Sequence, residues 1–439
     1  MPNMRPDFFL AIPSAVGTLR FLTAPVSRRY SPRMIKRGIK RPSLSVRWAS
    51  ANGLVLLLLF FIALVPSLWA GDRPLPGPAT KLRIVDLAGT PYQMGKIHGQ
   101  TLKAEIRELV KRWKEDLEKT YQVPAEVFIR EFLKKTDFKP AMDRWTPGLL
   151  DEVRGIGDGA GIDFDTMYAY QLIDEVWAMG PDLGFSKCTT VAAGKRNGNP
   201  AYVAQTLDIP TFYHGYQTVL RIRDDRDDLE TLVFTIPGVV AANGLNSRSI
   251  GVCVNAVTQL AYSRKGLPVD FVIRGILRQR SYEEAVKFLR NIQPAAPQTY
   301  VLGGPNEVAV FERSAEKMSG FVPFAGAEFS YHTNHPLINE DFNPRFPEML
   351  KRKNMTLESY QALCPRFNFL GQLLKDNSVA IDLGTLQELF KNRASGINNE
   401  GTYGCTIMVL GEKPELYVSP GRPDEAPFQV LGFSPHAGH

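Results

Sequence analysis

Cys188 is the residue whose type and position most clearly suggest chemistry. It ends the segment GFSKC, where a predicted helical region gives way to a β-rich one. Cutting the bond between Lys187 and Cys188 would leave the thiol beside its own free α-amine, and an amine with a pKa of about 8 is a usable base at neutral pH. Such a nucleophile needs no histidine, which suits a chain with only six.

Two further roles for Cys188 stay open on the residues alone. A lone cysteine is more often a small buried hydrophobe, as we expect for Cys253 and Cys405 in their apolar surroundings. A papain-like cysteine protease would need a histidine in a matching context, and none is found. The four cysteines are too few for a disulfide framework and form no CxxC pair, so we predict no metal site.

The elements that must position Cys188 follow two patterns. Charged and apolar residues alternate at helical spacing from about 90 to 180, with Pro91 in the first turn. Strand-like runs dominate after Cys188, starting with a hairpin turned by Asn197-Gly198, and helices interrupt the later strands in blocks. Consecutive antiparallel strands with inserted helices predict an α+β layered sandwich, without the glycine patterns of nucleotide-binding folds.

The net charge of +7 does not indicate a nucleic-acid partner. Residues 1–49 hold ten of the 52 basic residues and one of the 45 acidic residues, so the remaining chain has a slight negative charge. An uncharged apolar run follows at residues 53–65, which is shorter than the roughly 20 residues of a membrane-spanning helix. A basic region, a short apolar core and small residues predict a secretory signal peptide.

We therefore expect an exported protein, periplasmic or extracellular, whose mature chain begins near Gly71. An uncleaved membrane anchor at residues 53–65 is the alternative, and Met34 is a candidate true start. The predicted organisation is a leader at residues 1–70, a linker with a helical pre-segment at 71–187, and a β-rich core at 188–439.

Five segments resemble the isopenicillin-N acyltransferase family, which is related to the choloylglycine and penicillin V hydrolases. Within residues 82–420 these segments are, in order, GTPYQMGKIHG, LDEVRGIGDGAGIDFDTMYAY, CTTVAAGKRNGNPAYVAQTLDI, GLNSRSIGVCVNAV and YHTNHPL. The resemblance implies an N-terminal-nucleophile hydrolase made as a zymogen that cleaves itself. It also implies that family's fold, a four-layer αββα sandwich preceded by a helical pre-segment.

The resemblance assigns roles to four residues. Cys188 matches the nucleophile, Asp208 the carboxylate that holds the nucleophile's amine, Asn334 an amide donor to the oxyanion, and Asn255 the second oxyanion-hole position. A fixed carboxylate stabilises an ammonium, and neutral amide donors stabilise developing negative charge. Taken singly, Asp208 and Asn334 also suit turns and Asn255 a buried strand, but their order around a junction cysteine favours function.

The chain departs from the family at its two arginines. Gln205 stands where bile-salt relatives place one, and Tyr403 stands near the position of the later one, with Arg393 as a candidate substitute. Phe212, Tyr213 and Tyr403 are predicted to line an apolar acyl pocket, although ordinary aromatic packing is the alternative.

The resulting hypothesis is an amidohydrolase that cleaves a linear or other non-peptide amide C–N bond through an acyl-thioester on Cys188. It uses no cofactor and no metal, and its partners are a small-molecule acyl amide and its own two processed fragments. N-acyl amino acids, acyl-homoserine lactones, β-lactam side chains and peptidic amides are candidate substrates. An acyltransferase that shares the intermediate and a catalytically degenerate envelope binding protein are the alternatives.

Overall fold

The structure is a computed structural model, and it describes residues 81–181, 183, 188–225 and 228–433. The predicted leader and Lys187 lie outside these residues, so signal peptide, anchor and cleavage site stay predictions. Within the described part of the chain, no helix is long and apolar enough to cross a membrane.

The pre-segment is helical, as predicted. A strand, β1 (Arg83–Gly89), leads into seven helices. Thr90 caps the first of them through a reciprocal capping box with Gln93, and Pro91 occupies its first turn. The helices are α1 (Pro91–Thr101), α2 (Lys103–Tyr121), α3 (Ala125–Lys134), α4 (Lys139–Trp145), α5 (Leu149–Ala160), α6 (Phe164–Tyr170) and α7 (Ile173–Met179).

Glycines let α1 and α5 pack with their backbones in contact. A Cβ added at Gly95 would lie 1.9 Å from the carbonyl oxygen of Glu152, and one added at Gly155 would lie 2.2 Å from that of Tyr92. Gly99 and Gly159 are as crowded, at 2.3 Å and 2.6 Å from the facing carbonyl oxygens. The glycine spacing shared by the two predicted pre-segment motifs is therefore a requirement of close helix crossing.

Two sheets form the β-rich core. The eight-stranded sheet has the order β1-β4-β5-β6-β7-β8-β9-β10, and the six-stranded sheet has the order β11-β2-β3-β12-β13-β14. Among the strands that the structure describes, β1 and β4 form the one parallel pair. The strands of the core are β2 (Thr189–Ala193), β3 (Ala201–Asp208), β4 (Thr218–Asp224), β5 (Glu230–Thr235), β6 (Asn243–Asn246), β7 (Gly251–Ala256), β8 (Gln298–Gly303), β9 (Val308–Arg313), β10 (Met318–Phe321), β11 (Phe329–His332), β12 (Thr402–Leu410), β13 (Glu415–Ser419) and β14 (Gln429–Gly432).

The two sheets pack face to face between two layers of helices. Strands β2 and β3 contact β7, β8 and β9 of the other sheet. The outer face of the eight-stranded sheet is covered by α8 (Val269–Leu277) and α9 (Tyr282–Asn291). Further along the chain follow α10 (Arg345–Arg352), α11 (Leu357–Gln361), α12 (Pro365–Leu373) and α13 (Leu383–Phe390), of which the last two cover the six-stranded sheet. The predicted four-layer αββα sandwich is confirmed.

The pre-segment and the core are joined through a shared sheet and a buried ion pair. β1 extends the eight-stranded sheet by pairing with β4. The Arg274 guanidinium of α8 donates to both carboxylate oxygens of Glu152 in α5, at 2.7 and 2.8 Å, with both side chains buried. Removing either partner would leave the other as an uncompensated buried charge. Loss of Glu152 or Arg274 alone should therefore strongly destabilise the contact between the two segments.

Gly95→Ala should destabilise the protein by about 1–3 kcal/mol, because α1 and α5 must separate to admit the new methyl group. Gly384→Ala is the matched control. A Cβ added at this helical glycine would lie 3.6 Å from the Asp382 Oδ1, which is an ordinary van der Waals contact. Urea unfolding of the two variants measures the difference. Equal stability of Gly95→Ala and the wild type would contradict the close crossing.

Candidate active site

The β2–β3 hairpin brings Cys188 and Asp208 together. Its antiparallel register pairs Thr189 with Thr206, so Cys188, just before β2, lies beside the end of β3. The backbone N–H of Asp208 donates to the Cys188 Sγ at 3.5 Å. Asn197 and Gly198 both have positive φ, which is the turn that the Asn-Gly pair predicted.

The Cys188 thiol is held in its neutral form. It is 6% exposed. Burial raises its pKa to about 12, and the nearby Asp208 carboxylate adds to this rise. A thiol with this pKa must lose its proton during attack rather than before it, so a base has to lie within reach. Its own α-amine, once freed, would meet that requirement.

The Asp208 carboxylate is fixed by a residue that sequence reasoning missed. Asn399 donates its side-chain amide to the Asp208 Oδ2 at 2.6 Å. Asn399 lies in the turn that precedes β12, and β12 pairs with β3 along its length. The carboxylate is 7% exposed, so it presents its charge from a rigid and largely dry position.

Arg366 is the second residue that sequence reasoning missed. It lies in the first turn of α12 and is buried. Its guanidinium donates to the Cys188 carbonyl oxygen, to the Thr189 Oγ1 at 3.0 Å and to the Asn334 Oδ1 at 3.3 Å. One planar cation therefore bridges the nucleophile strand and the predicted oxyanion residue.

Arg393 and Tyr403 do not supply this positive charge. Arg393 is half exposed and pairs with Glu400 at 2.7 Å and with Asp424 at 3.7 Å. Tyr403 is fully buried and donates its hydroxyl to the Thr235 carbonyl oxygen at 3.0 Å. Arg393 was a candidate to replace the later family arginine. The carboxylates of Glu400 and Asp424 instead hold its guanidinium at the surface.

Asn334 lies in a turn that the buried Glu312 carboxylate holds in place. The Glu312 carboxylate accepts from the His332 Nε2 at 2.8 Å and from the backbone N–H groups of residues 337–339. Burial acts to raise the pKa of Glu312, but these hydrogen bonds and His332 hold it below its ordinary value. Both imidazoles of the His-Thr-Asn-His motif are buried, and each forms a hydrogen bond with Thr333 inside the turn.

The Asn334 side chain has a donor left for an oxyanion. One amide N–H donates to the Ala256 carbonyl oxygen at 3.1 Å, and the amide oxygen accepts from Arg366. A primary amide carries two N–H groups, and the second has no acceptor among the residues that the structure describes.

Asn255 points into the space between the sheets rather than into a cavity. Its amide nitrogen donates to the Thr190 Oγ1 at 3.0 Å, and its oxygen accepts from Gln205 at 3.5 Å. Gln205 also donates to the Val254 carbonyl oxygen and accepts from Asn243 at 2.8 Å. Gln205 is therefore a neutral centre of a buried amide network, where an arginine would need a counter-charge.

A largely apolar cavity opens beside Cys188 and Asp208. Of the residues predicted to line an acyl pocket, Tyr213 lines this cavity, Phe212 lines an adjoining cleft and Tyr403 lies in the core. The apolar wall consists of Ile173, Trp177, Leu207, Ile209, Tyr213, Ile236, Val239, Ala241, Ala242, Val254, Ala256 and Ile273. Among the described residues, no group of three His, Cys, Asp or Glu side chains is placed to hold a metal ion.

The two packed sheets, with a cysteine at the start of a central strand, form the arrangement expected of an N-terminal-nucleophile hydrolase. Residues 196–402 match the family model described as acyl-coenzyme A:6-aminopenicillanic acid acyl-transferase. The match begins in the turn between β2 and β3, and it confirms the family resemblance predicted from the sequence.

Two curated relatives come from Dictyostelium discoideum. Protein dcd1A is 24% identical over an alignment of 247 residues that covers 49% of this chain and 54% of the relative. Protein dcd1B is 24% identical over an alignment of 254 residues that covers 52% of this chain and 49% of the relative. The chain thus spans about half the length of these curated relatives.

Three solved structures show a partial likeness. The N-acylethanolamine-hydrolyzing acid amidase ortholog of Caenorhabditis elegans has a TM-score of 0.38 and 17% identity, covering 56% of this chain and 100% of that one. A mutant conjugated bile acid hydrolase from Clostridium perfringens has a TM-score of 0.35 and 14% identity, covering 57% and 93%. Penicillin V acylase from Agrobacterium tumefaciens has a TM-score of 0.28 and 12% identity, covering 53% and 82%.

Arg366→Lys should lower the rate of amide cleavage on the order of 10²-fold, because a single ammonium cannot bridge Cys188 and Asn334. Arg393→Lys is the control, since this arginine is engaged at the surface, and it should keep the wild-type rate. Steady-state kinetics on both variants, after melting curves show them folded, measure the difference. A wild-type rate in Arg366→Lys would remove Arg366 from the site.

Proposed function

We propose that the protein is an exported amidohydrolase that cleaves the C–N bond of a small acyl amide through an acyl-thioester on Cys188. The observation that carries the proposal is that a thiol and a fixed carboxylate meet at one cavity, with an arginine bound to the thiol's own residue. A buried thiol begins a central strand, the fixed carboxylate of Asp208 lies beside it, and Arg366 ties it to Asn334. The family match supports an enzyme that acts on carbon–nitrogen bonds.

The enzyme first cleaves its own chain. The Cys188 thiol attacks the carbonyl carbon of Lys187, and the peptide bond breaks as the acyl group moves to sulfur. The thiol proton passes to the departing nitrogen, which becomes the α-amine of Cys188. Water then hydrolyses this thioester, which leaves a carboxylate on Lys187 and restores the thiol. The α-amine of Cys188 is now free to act as the base.

In turnover the α-amine takes the thiol proton as the sulfur attacks the substrate carbonyl carbon. Asp208 stabilises the resulting ammonium, and the second N–H of Asn334 donates to the oxyanion. The ammonium returns its proton to the leaving amine, and the acyl group stays on sulfur. Water, deprotonated by the same α-amine, attacks the thioester and releases the acid and the thiol.

Acyl transfer is the second candidate, because the matched family is described as an acyl-transferase. An amine in place of water would resolve the same intermediate. We favour hydrolysis, since the sequence has no phosphate-binding pattern and an exported enzyme meets little coenzyme A. The alternative of a catalytically degenerate binding protein is supported by the absence of the two family arginines. The buried Arg366 weakens this support, because it supplies a positive charge beside Cys188.

A panel of acyl anilides should distinguish these functions. The wild type is expected to release coloured amine from at least one member, and Cys188→Ala should lower the rate by about 10³-fold or more. Asp208→Asn should keep the fold and lose most of the rate, because the ammonium loses its counter-charge.

Cys405→Ala is the matched control, since this thiol is equally buried but packs in the apolar layer under α13, away from the cavity. Product analysis separates the two reactions. A hydrolase forms the free acid in buffer alone, whereas a transferase forms little product until an amine acceptor is added. Full activity of Cys188→Ala would contradict the proposed function.

A further inference from the structure

The lining of the cavity includes acceptor groups that the mechanism does not use. Asp174, from α7 of the pre-segment, and Asp270, from α8 of the core, both line the cavity that contains Cys188. Gln298, from β8, also lines it and donates its amide to the Asp174 Oδ1 at 2.8 Å. The cavity thus has an acidic patch built from both segments of the chain.

Asp270 is the unusual member of this patch. It is 8% exposed, and it makes no hydrogen bond or ion pair with any residue that the structure describes. Buried carboxyl groups are almost always paired, because leaving one without a partner costs free energy. The Gln298 Oε1 is a second buried acceptor without a partner in the described part of the chain.

The surroundings of Asp270 explain how it is tolerated when the cavity is empty. Burial raises its pKa well above the ordinary range, and the neighbouring carboxyl groups of Asp174 and Glu175 raise it further. Burial likewise raises the pKa of Asp174 to about 6. A cation placed between them would reverse this effect by stabilising the ionised form.

We propose that this patch is a subsite for a protonated primary amine carried by the substrate, bound by Asp270, Asp174 and the Gln298 Oε1. A primary ammonium has three N–H donors and no acceptor, which matches a set of three acceptor groups that the chain itself satisfies only in part. The inference rests on the proposed function in placing this amine on the amide that Cys188 cleaves. Such a subsite would favour acyl amides that carry an ammonium group over acyl amides with uncharged alkyl groups.

The competing hypothesis is that both carboxyl groups stay neutral and that the cavity takes an uncharged acyl chain. Binding of simple probes distinguishes the two without requiring catalysis. Alkylammonium chlorides from ethyl to hexyl are titrated calorimetrically into the full-length protein at pH 7.5, beside the alcohols with the same number of heavy atoms. At least one ammonium should bind about tenfold more tightly than its alcohol.

Asp270→Asn should abolish this preference, while its melting temperature should equal or exceed that of the wild type, because a buried acid without a partner is removed. Asp143→Asn, on the exposed face of α4, is the control and should leave the preference unchanged. Equal affinity for ammonium and alcohol, no binding of either, or an unchanged preference in Asp270→Asn would overturn the subsite. Ammonium binding without cleavage of any amide would contradict the proposed function but not the subsite.

Discussion

The hydrogen bond from the Asp208 backbone N–H to the Cys188 Sγ depends on the register of one hairpin, and the site depends on that register. A slip of one residue between β2 and β3 would turn the side chains of the slipped strand to the opposite face of the sheet. Pairing on both sides prevents such a slip, since β11 pairs with β2 and β12 pairs with β3. The strand that follows Cys188 is therefore an interior strand of its sheet rather than an edge strand.

The pre-segment is part of the same structure rather than a removable cover. It contributes an edge strand, the buried Glu152–Arg274 pair and the Asp174 wall of the cavity. Gln171 adds hydrogen bonds to the loop before β6, at the Gly238 carbonyl oxygen and the Val240 N–H. If the chain is cut at Cys188, these contacts should keep the fragments associated, and residues from both fragments line the cavity beside Cys188.

Sequence patterns were sufficient for features that rest on local or periodic constraints. The Asn197-Gly198 turn and Pro91 in the first turn of α1 each have a local physical cause, and the structure contains both. The layered α+β fold was predictable because strand-like runs and inserted helices alternate in blocks.

Features that depend on distant contacts were not predictable. Arg366 reaches the site from a helix far along the chain, and an arginine near a helix start is usually a surface residue. Asp174 and Asp270 lie on helices where acids normally face solvent, so no pattern marks them as cavity residues. Asn255 was found by its motif, but only the packing of the two sheets shows that its side chain serves the Gln205 network.

The central claim is that Cys188 becomes a chain terminus by its own chemistry, and intact-mass analysis of the purified protein tests it most directly. With the leader removed near Gly71, the denatured wild type should give two species, residues 71–187 and 188–439, of about 13 and 28 kDa from a full chain of 49.0 kDa. These species should elute together under native conditions, and Cys188→Ala should give one uncut chain. An active wild-type enzyme that consists of a single intact chain would contradict the account.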